Sequence, residues 1–205
     1  MSAQIVLFDL GHVVVDWQPI RLYRQIFDTE AEAQRFCDTI CTLDWHQAHD
    51  RGVSMPDNAA RLIAKHPQYE MHIKAWQTRW LDMFPGYMPG VPALMAALEE
   101  QRVPLFGLSN LPADIAQETF DAYPMIKLLR DVIVSGEEKV IKPDPRIYEI
   151  TLARMGHPDP DSVLFIDNSL VNVEAAKALG MRGHHFTGAE GLASRLRDEA
   201  LLPFA

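Results

Sequence analysis

Three apolar runs in this chain end on polar residues. Phe8 leads into Asp9, Leu108 into Ser109 and Asn110, and Ile166 into Asp167 and Asn168. Between the second and third, Lys142-Pro143 stands just before a helical segment. An ionised carboxylate offers a nucleophile or a ligand for a hard cation. A lysine offers a fixed positive charge, and a hydroxyl offers one donor and two acceptor positions. Such a set handles a small anionic molecule if one place in the fold gathers it. In open α/β sheets that place is the crevice outside the carboxyl ends of the strands.

The elements that would do the gathering follow from the pattern. Ile5 to Phe8 is a short apolar run that reads as a buried parallel strand. Gly11 permits a turn, and Val13-Val14-Val15 reads as a short hairpin arm. From Pro19 to about Phe84 the pattern turns helical. Thr29-Glu30-Ala31-Glu32 opens a helix running to about Ile40 as a capping box, Ser54 with Asp57 opens another, and Tyr69 to Met83 reads as one long helix. Beyond Pro85-Gly86 and Pro89-Gly90, helices and strands alternate. Strands are expected over Val103–Leu108, Val132–Val134, Val163–Ile166 and His184–Phe186. Helices are expected over Val91–Gln101, Pro112–Ala122, Asp144–Met155, Asn168–Leu179 and Gly188–Ala200. This alternation predicts an α/β fold, a Rossmann-like doubly wound parallel sheet. Residues 1–16 and 88–205 form the core, and residues 17–87 form a helical unit inserted after the first strand.

Composition bounds the partners. The net charge of −9 argues against nucleic acid, which calls for clustered Lys and Arg. It leaves room for a small phosphorylated substrate, because distant surface charge is screened beyond about 8–10 Å. No apolar run approaches 18 residues, so no membrane span is expected. The amino terminus lacks the basic and apolar regions of a signal peptide. Only two cysteines occur, Cys37 and Cys41, at helical i, i+4 spacing. They read as a buried apolar pair in a protein of the reducing cytoplasm. The motif spacing demands no particular oligomeric state.

The order of these segments resembles the four-motif pattern of the haloacid dehalogenase superfamily. Phe8-Asp9-Leu10-Gly11-His12-Val13 resembles its first motif and Leu108-Ser109-Asn110 its second. Val140-Ile141-Lys142-Pro143-Asp144-Pro145-Arg146-Ile147-Tyr148 is similar to the third. Phe165-Ile166-Asp167-Asn168-Ser169, with Asn172, Ala175-Ala176 and Leu179-Gly180, is similar to the fourth. The match covers residues 1–16 and about 88–186, and the 17–87 block stands where that family carries its helical cap. The capped sugar-phosphate phosphatases and epoxide-hydrolase N-terminal phosphatases are the subgroup it resembles.

The resemblance implies a role for each residue. Asp9 attacks phosphorus and forms an aspartyl-phosphate. Ser109 and nearby backbone N–H groups hold phosphoryl oxygens, with Asn110 in support. Lys142 neutralises charge on those oxygens and keeps Asp9 ionised. Mg²⁺ bridges Asp9 and the phosphate, helped by the Gly11 carbonyl, Asp167 and Asn168.

Two departures matter. Most phosphatases of the family carry a second Asp two residues after the nucleophile, as acid and base, though some show Asp-x-Gly, and here that position is Gly11. His12 and Asp16 are the nearby candidates to replace it, and His12 also reads as a substrate contact. The last motif often shows two adjacent acids, whereas this chain has Asp167-Asn168. Fewer anionic ligands predict a weakly bound Mg²⁺.

These losses keep two other readings open. One is a 2-haloacid dehalogenase using Asp9 without metal, since Lys142 and Tyr148 match the six-residue spacing of that chemistry. The other is a non-catalytic binding protein on a hydrolase core.

Within the insertion, Asp44 to Gly52 is a cluster that faces the cleft in one reading. There Trp45 stacks on a sugar ring and Arg51 holds a remote anion. In the other reading it is a helix end with a packed Trp and solvated charges. Trp76 and Trp80 read as core, and His184-His185 as structural. A capped site favours small soluble substrates, with a sugar phosphate as the expectation.

Overall fold

A computed structural model describes residues 2–203. Its centre is a five-stranded sheet in the order β5-β4-β1-β6-β7, with every pairing parallel. The strands are β1 (Ile5–Phe8), β4 (Leu105–Ser109), β5 (Val132–Val134), β6 (Val163–Asp167) and β7 (Arg182–His185). A second, two-stranded sheet pairs β2 (Val15–Asp16) antiparallel with β3 (Gly86–Tyr87). Thus the arm expected at Val13–Val15 closes on a distant segment, not on a neighbouring hairpin strand.

Side chains alternate across the strands, so each face of the sheet buries its own cluster. Val6, Phe8, Leu105, Leu164 and Ile166 pack on one side with Val91, Met95 and Leu98 of α6 (Val91–Glu100) and Leu192 and Leu196 of α11 (Ala189–Asp198). Leu7, Phe106, Leu108 and Phe165 pack on the other with Ile147 and Tyr148 of α9 (Pro145–Arg154) and Ala176 of α10 (Leu170–Ala178). Apolar residues on both faces explain why these strands read as continuous apolar runs.

Between β2 and β3 lie α1 (Ile20–Tyr23), α2 (Glu30–Thr39), α3 (Leu43–Asp50), α4 (Met55–Lys65) and α5 (Glu70–Thr78). The capping box at Thr29 forms as expected, with Thr29 Oγ1 accepting from Glu32 N and Glu32 reaching back to Thr29 N. Ser54 caps α4 through Asp57 N. The long helix expected over Tyr69–Met83 is broken. Arg79 leaves helical geometry at φ −129° and ψ 32°, and a 3₁₀ turn follows over Trp80–Met83. The break turns Trp80 toward α7 (Ala113–Ala122), where its indole N–H donates to Thr119 at 2.9 Å. Tertiary packing overrides the local helical preference here.

The helical block shares its apolar cluster with the sheet's carboxyl edge. Tyr23, Phe36, Trp76 and Trp80 pack in one cluster with Leu111, Ile115 and Val134. The edge itself is clamped by α8 (Ser135–Glu138). Leu111 N donates to Ser135 Oγ at 3.0 Å, and Gly136 N donates to the Leu111 carbonyl at 3.1 Å. A Cβ at Gly136 would stand 2.5 Å from Ala113 N and 2.9 Å from the Leu111 carbonyl. Both are backbone atoms that cannot rotate away. Gly136→Ala is therefore expected to lower stability by about 1–3 kcal/mol, read as a lower denaturant midpoint with unchanged slope.

Candidate active site

Asp9 follows β1, Ser109 ends β4 and Asp167 ends β6, so all three meet at the carboxyl edge of the sheet. Lys142 arrives from the loop before α9 and is itself buried. Its ammonium group donates to Asp167 Oδ2 at 2.7 Å and to the Leu108 carbonyl at 3.0 Å, and lies 2.9 Å from Asp9 Oδ1. Three protons meet three acceptors in a fixed frame. Burial opposes the charge on Lys142, but the two carboxylates hold its pKa above the ordinary value.

Asp9 stands at the mouth of this frame. One carboxylate oxygen accepts from Leu10 N at 2.7 Å. Burial pushes its pKa up to about 7, with Lys142 opposing and Asp167 reinforcing the rise. The trio carries two negative charges against one positive, so it needs a further positive charge to receive a phosphate dianion.

A cleft of about 230 Å³ opens over Asp9 and is also lined by Gly11, His12, Ser109, Asn110, Lys142 and Asn168. A narrower chamber of about 50 Å³ adjoins it, walled by Leu10, Trp17, Trp80, Phe84 and Leu111. Asn110 lines both, yet both ends of its amide are engaged. Its Oδ1 accepts from Lys142 N at 2.9 Å and its Nδ2 donates to the Lys142 carbonyl at 3.2 Å. It positions the lysine's backbone, and one Nδ2 proton remains beyond these two bonds.

Asp167 departs from the expectation of a cleft-facing ligand. It has no solvent exposure, and its oxygens accept from Lys142, Ser169 N and Asn172 Nδ2. Its neighbour Asn168 faces the cleft instead. The oxygens lining it that a hard cation could use include those of Asp9, the Gly11 carbonyl and the Asn168 amide. They fit Mg²⁺, which binds through one or two carboxylates and keeps several waters. Among the described residues no group of three His, Cys, Asp or Glu is placed to hold a metal, and two of these three donors are neutral oxygens.

The insertion reaches the cleft through α3. Leu43, His46, Gln47 and Asp50 line it, at the i, i+3, i+4, i+7 spacing of one helix face. Trp45 and Arg51, singled out from the sequence, lie elsewhere. Trp45 packs on His49 and Trp76, with ring centroids 4.7 and 5.3 Å apart. Arg51 bonds Gln47 on the exposed surface at 3.1 Å. Trp17 and Asn172 are cleft residues to which sequence reasoning gave no cleft role, whereas the expected Asp44–Gly52 cluster does reach the cleft, through two residues not singled out within it, His46 and Asp50. For the last two the signal was present in the four-residue spacing.

His12 lines the cleft in left-handed geometry at φ 58°, with Asp16 3.9 Å away. Burial lowers its pKa, so it is neutral near pH 7. Cys37 and Cys41 are free. His184 and His185 lie on β7, where His185 Nε2 contacts the Asn168 carbonyl at 3.0 Å.

A doubly wound parallel sheet with a carboxylate–lysine frame at its carboxyl edge defines a class of α/β hydrolases. The chain belongs to the haloacid dehalogenase-like hydrolases, whose family model matches residues 3–180. It is 27 % identical to a sesquiterpene phosphatase (astK) of Aspergillus oryzae, over 94 % of each chain. It is 24 % identical to a phosphorylated carbohydrates phosphatase of Thermotoga maritima, over 87 % of this chain and 82 % of that one. Its fold matches a HAD family enzyme, bt-2542 of Bacteroides thetaiotaomicron, solved with magnesium and inorganic phosphate. The TM-score is 0.70 at 18 % identity, covering 91 % of this chain and 95 % of that one. Dehalogenases of known structure share this fold too. No helix among the described residues is long and apolar enough to cross a membrane.

Proposed function

We propose that this enzyme is a phosphatase that hydrolyses a small organic phosphate through an aspartyl-phosphate on Asp9. The observation that carries the reading is the contact of Lys142 with both Asp9 and a fully buried Asp167 beneath an open cleft. Lys142 aims Asp9 and holds a fixed positive charge at the attacking oxygen. Ser109, at the end of β4, offers its hydroxyl to a phosphoryl oxygen. Asp9, the Gly11 carbonyl and Asn168 would hold Mg²⁺, which when bound neutralises charge on the transferring phosphoryl group. The aromatic chamber suits an alcohol with an apolar face, a sugar ring among them. Residues 17–87 act as the cap that presents α3 to the substrate. The free cysteines accord with a reducing cytoplasm.

The dehalogenase reading rests on the spacing of Lys142 and Tyr148. Here the Tyr148 hydroxyl donates to the Asn172 carbonyl at 2.9 Å, a packing role. Asp167 behind the lysine accounts for that residue within the phosphatase reading.

The test is turnover of a panel of phosphomonoesters, sugar phosphates included, beside 2-haloacids, across a Mg²⁺ titration. Phosphate release is expected to rise with Mg²⁺, saturate only at about millimolar concentration or above, and disappear in excess chelator. Halide release without phosphate release would replace the reading. Full phosphatase activity in chelator would remove the metal from it.

A further inference from the structure

The reaction needs a proton carrier, and Gly11 occupies the position that carries it in related phosphatases. An alkoxide is a poor leaving group, so an acid within reach of the leaving oxygen is worth about 10²–10⁴ in rate. Of the titratable groups lining the cleft, Asp9 is the nucleophile and Lys142 is fully engaged. His12 is neutral and faces Asp16, which also pairs with Arg21 at 2.6 Å. His46 and Asp50 remain, both on α3 and both buried.

Hydrogen bonding separates these two. Asn58 Nδ2 donates to the Trp45 carbonyl at 2.9 Å, which fixes the orientation of that amide. The same nitrogen lies 2.9 Å from His49 Nε2, which must therefore accept. His49 then carries its proton on Nδ1 and donates it to His46 Nδ1 at 3.3 Å. His46 carries its own proton on Nε2, which faces Asp50 Oδ1 at 3.5 Å. Burial holds both imidazoles neutral, with pKa values lowered to about 3 and about 4. His46 is wedged against Trp17, Trp76 and Trp80, with ring centroids 5.2, 5.2 and 5.8 Å away. Its ring presents a donor to Asp50 and no acceptor. His46 Nε2 therefore cannot take a proton from Asp50, which lines the cleft. Asp50 lines that cleft, and its Oδ1, itself buried on the side of His46, makes no hydrogen bond.

We infer that Asp50, lying beside His46, is the proton carrier of the phosphatase reaction proposed above, replacing from the insertion the acid that Gly11 cannot supply. Its electrostatic setting accords with the role. Burial raises its pKa to about 7, Lys142 and Arg51 oppose the rise, and Asp9 adds to it. In the first step an Asp9 oxygen bonds to phosphorus, the phosphorus–alcohol oxygen bond breaks, and the Asp50 proton passes to that oxygen to release ROH. In the second, a water oxygen bonds to phosphorus and gives a proton back to Asp50. The Asp9–phosphorus bond breaks, and HPO₄²⁻ leaves.

Asp50→Asn tests this with two substrates, 4-nitrophenyl phosphate and 2-phenylethyl phosphate. Nitrophenolate leaves without a proton. The variant is expected to release about one equivalent of it at near wild-type rate and then stall, because the second step lacks its base. On the alkyl ester the first step itself is expected to slow by about 10²–10⁴. Equal losses on both esters with no burst would mark a structural role, and undiminished turnover of both would mark none; either overturns the inference. In both cases wild-type turnover lost in Asp9→Asn would leave the phosphatase reading standing. A wild type that cleaves neither ester would remove both. Should Asp50→Asn fail to fold, Asp50→Ser, smaller and equally without a carboxyl, is read in the same way.

Discussion

Asp9→Asn is expected to abolish turnover, by at least about 10³-fold, in a protein that stays folded. The amide keeps the shape of the side chain and its bond from Leu10 N, but it cannot attack phosphorus. Lys142 keeps Asp167 and the Leu108 carbonyl as partners, so no buried charge is orphaned. Stability should also respond to pH in a way that identifies the carboxyl. Burial raises Asp9 from 3.8 to about 7 in the folded chain. Between those values the folded state holds a proton that the unfolded state has lost. Wild-type stability therefore falls as pH rises through that window. Asp50 adds a second contribution of the same sign, raised from the same starting value to about 7. The Asn variant should lose the Asp9 share of this decline. The check is urea unfolding at several pH values from 4 to 8, beside steady-state rates on the best phosphoester. A variant that retains even a tenth of wild-type turnover would exclude Asp9 as the nucleophile.

What the sequence made legible here follows the range of each signal. Apolar runs that end in Asp9, Ser109 and Asp167 mark strands buried on both faces, and parallel pairing brings their ends to one edge. The alternation of strands and helices after Val91 was enough to predict the doubly wound sheet. Side-chain direction was harder to read. Asp167 and Asn168 differ by one position at the end of β6, and only packing shows that the amide faces the cleft while the acid lies under Lys142. In α3 the right segment was chosen with the wrong helical phase. Trp45 and His49 share the face that packs inward, while His46 and Asp50 share the one that lines the cleft. Residue chemistry favoured the tryptophan and arginine, whereas the four-residue period favoured the histidine and aspartate. The β2–β3 pairing had no local signature, because two-residue strands far apart in sequence leave no periodicity to read.

Lys142→Met is expected to cost both activity and fold. Met fills a similar volume, so the loss reads out charge and not a cavity. Without the ammonium group, Asp167 has no counter-charge at zero exposure, and Asp9 has none beside it. Removing one partner of a buried ion pair costs about 3–5 kcal/mol, well above the worth of a surface pair. The two carboxylates escape that cost by binding protons. The variant's deficit should therefore be largest near pH 8 and shrink on acidification, opposite to what a packing defect would give. Urea unfolding of wild type and variant at pH 8 and pH 4 measures the difference, and an equal deficit at both would show that Lys142 contributes packing alone. Turnover is expected to fall by about 10³ or more even where the variant is folded, because Asp9 loses both its aim and its compensating charge. Lys142→Arg separates these two contributions. It keeps the positive charge, but a planar fork cannot point at Asp9, Asp167 and the Leu108 carbonyl as the three ammonium protons do. Stability should then return in part while turnover stays low, because the fold needs the charge whereas the chemistry needs the charge at one point.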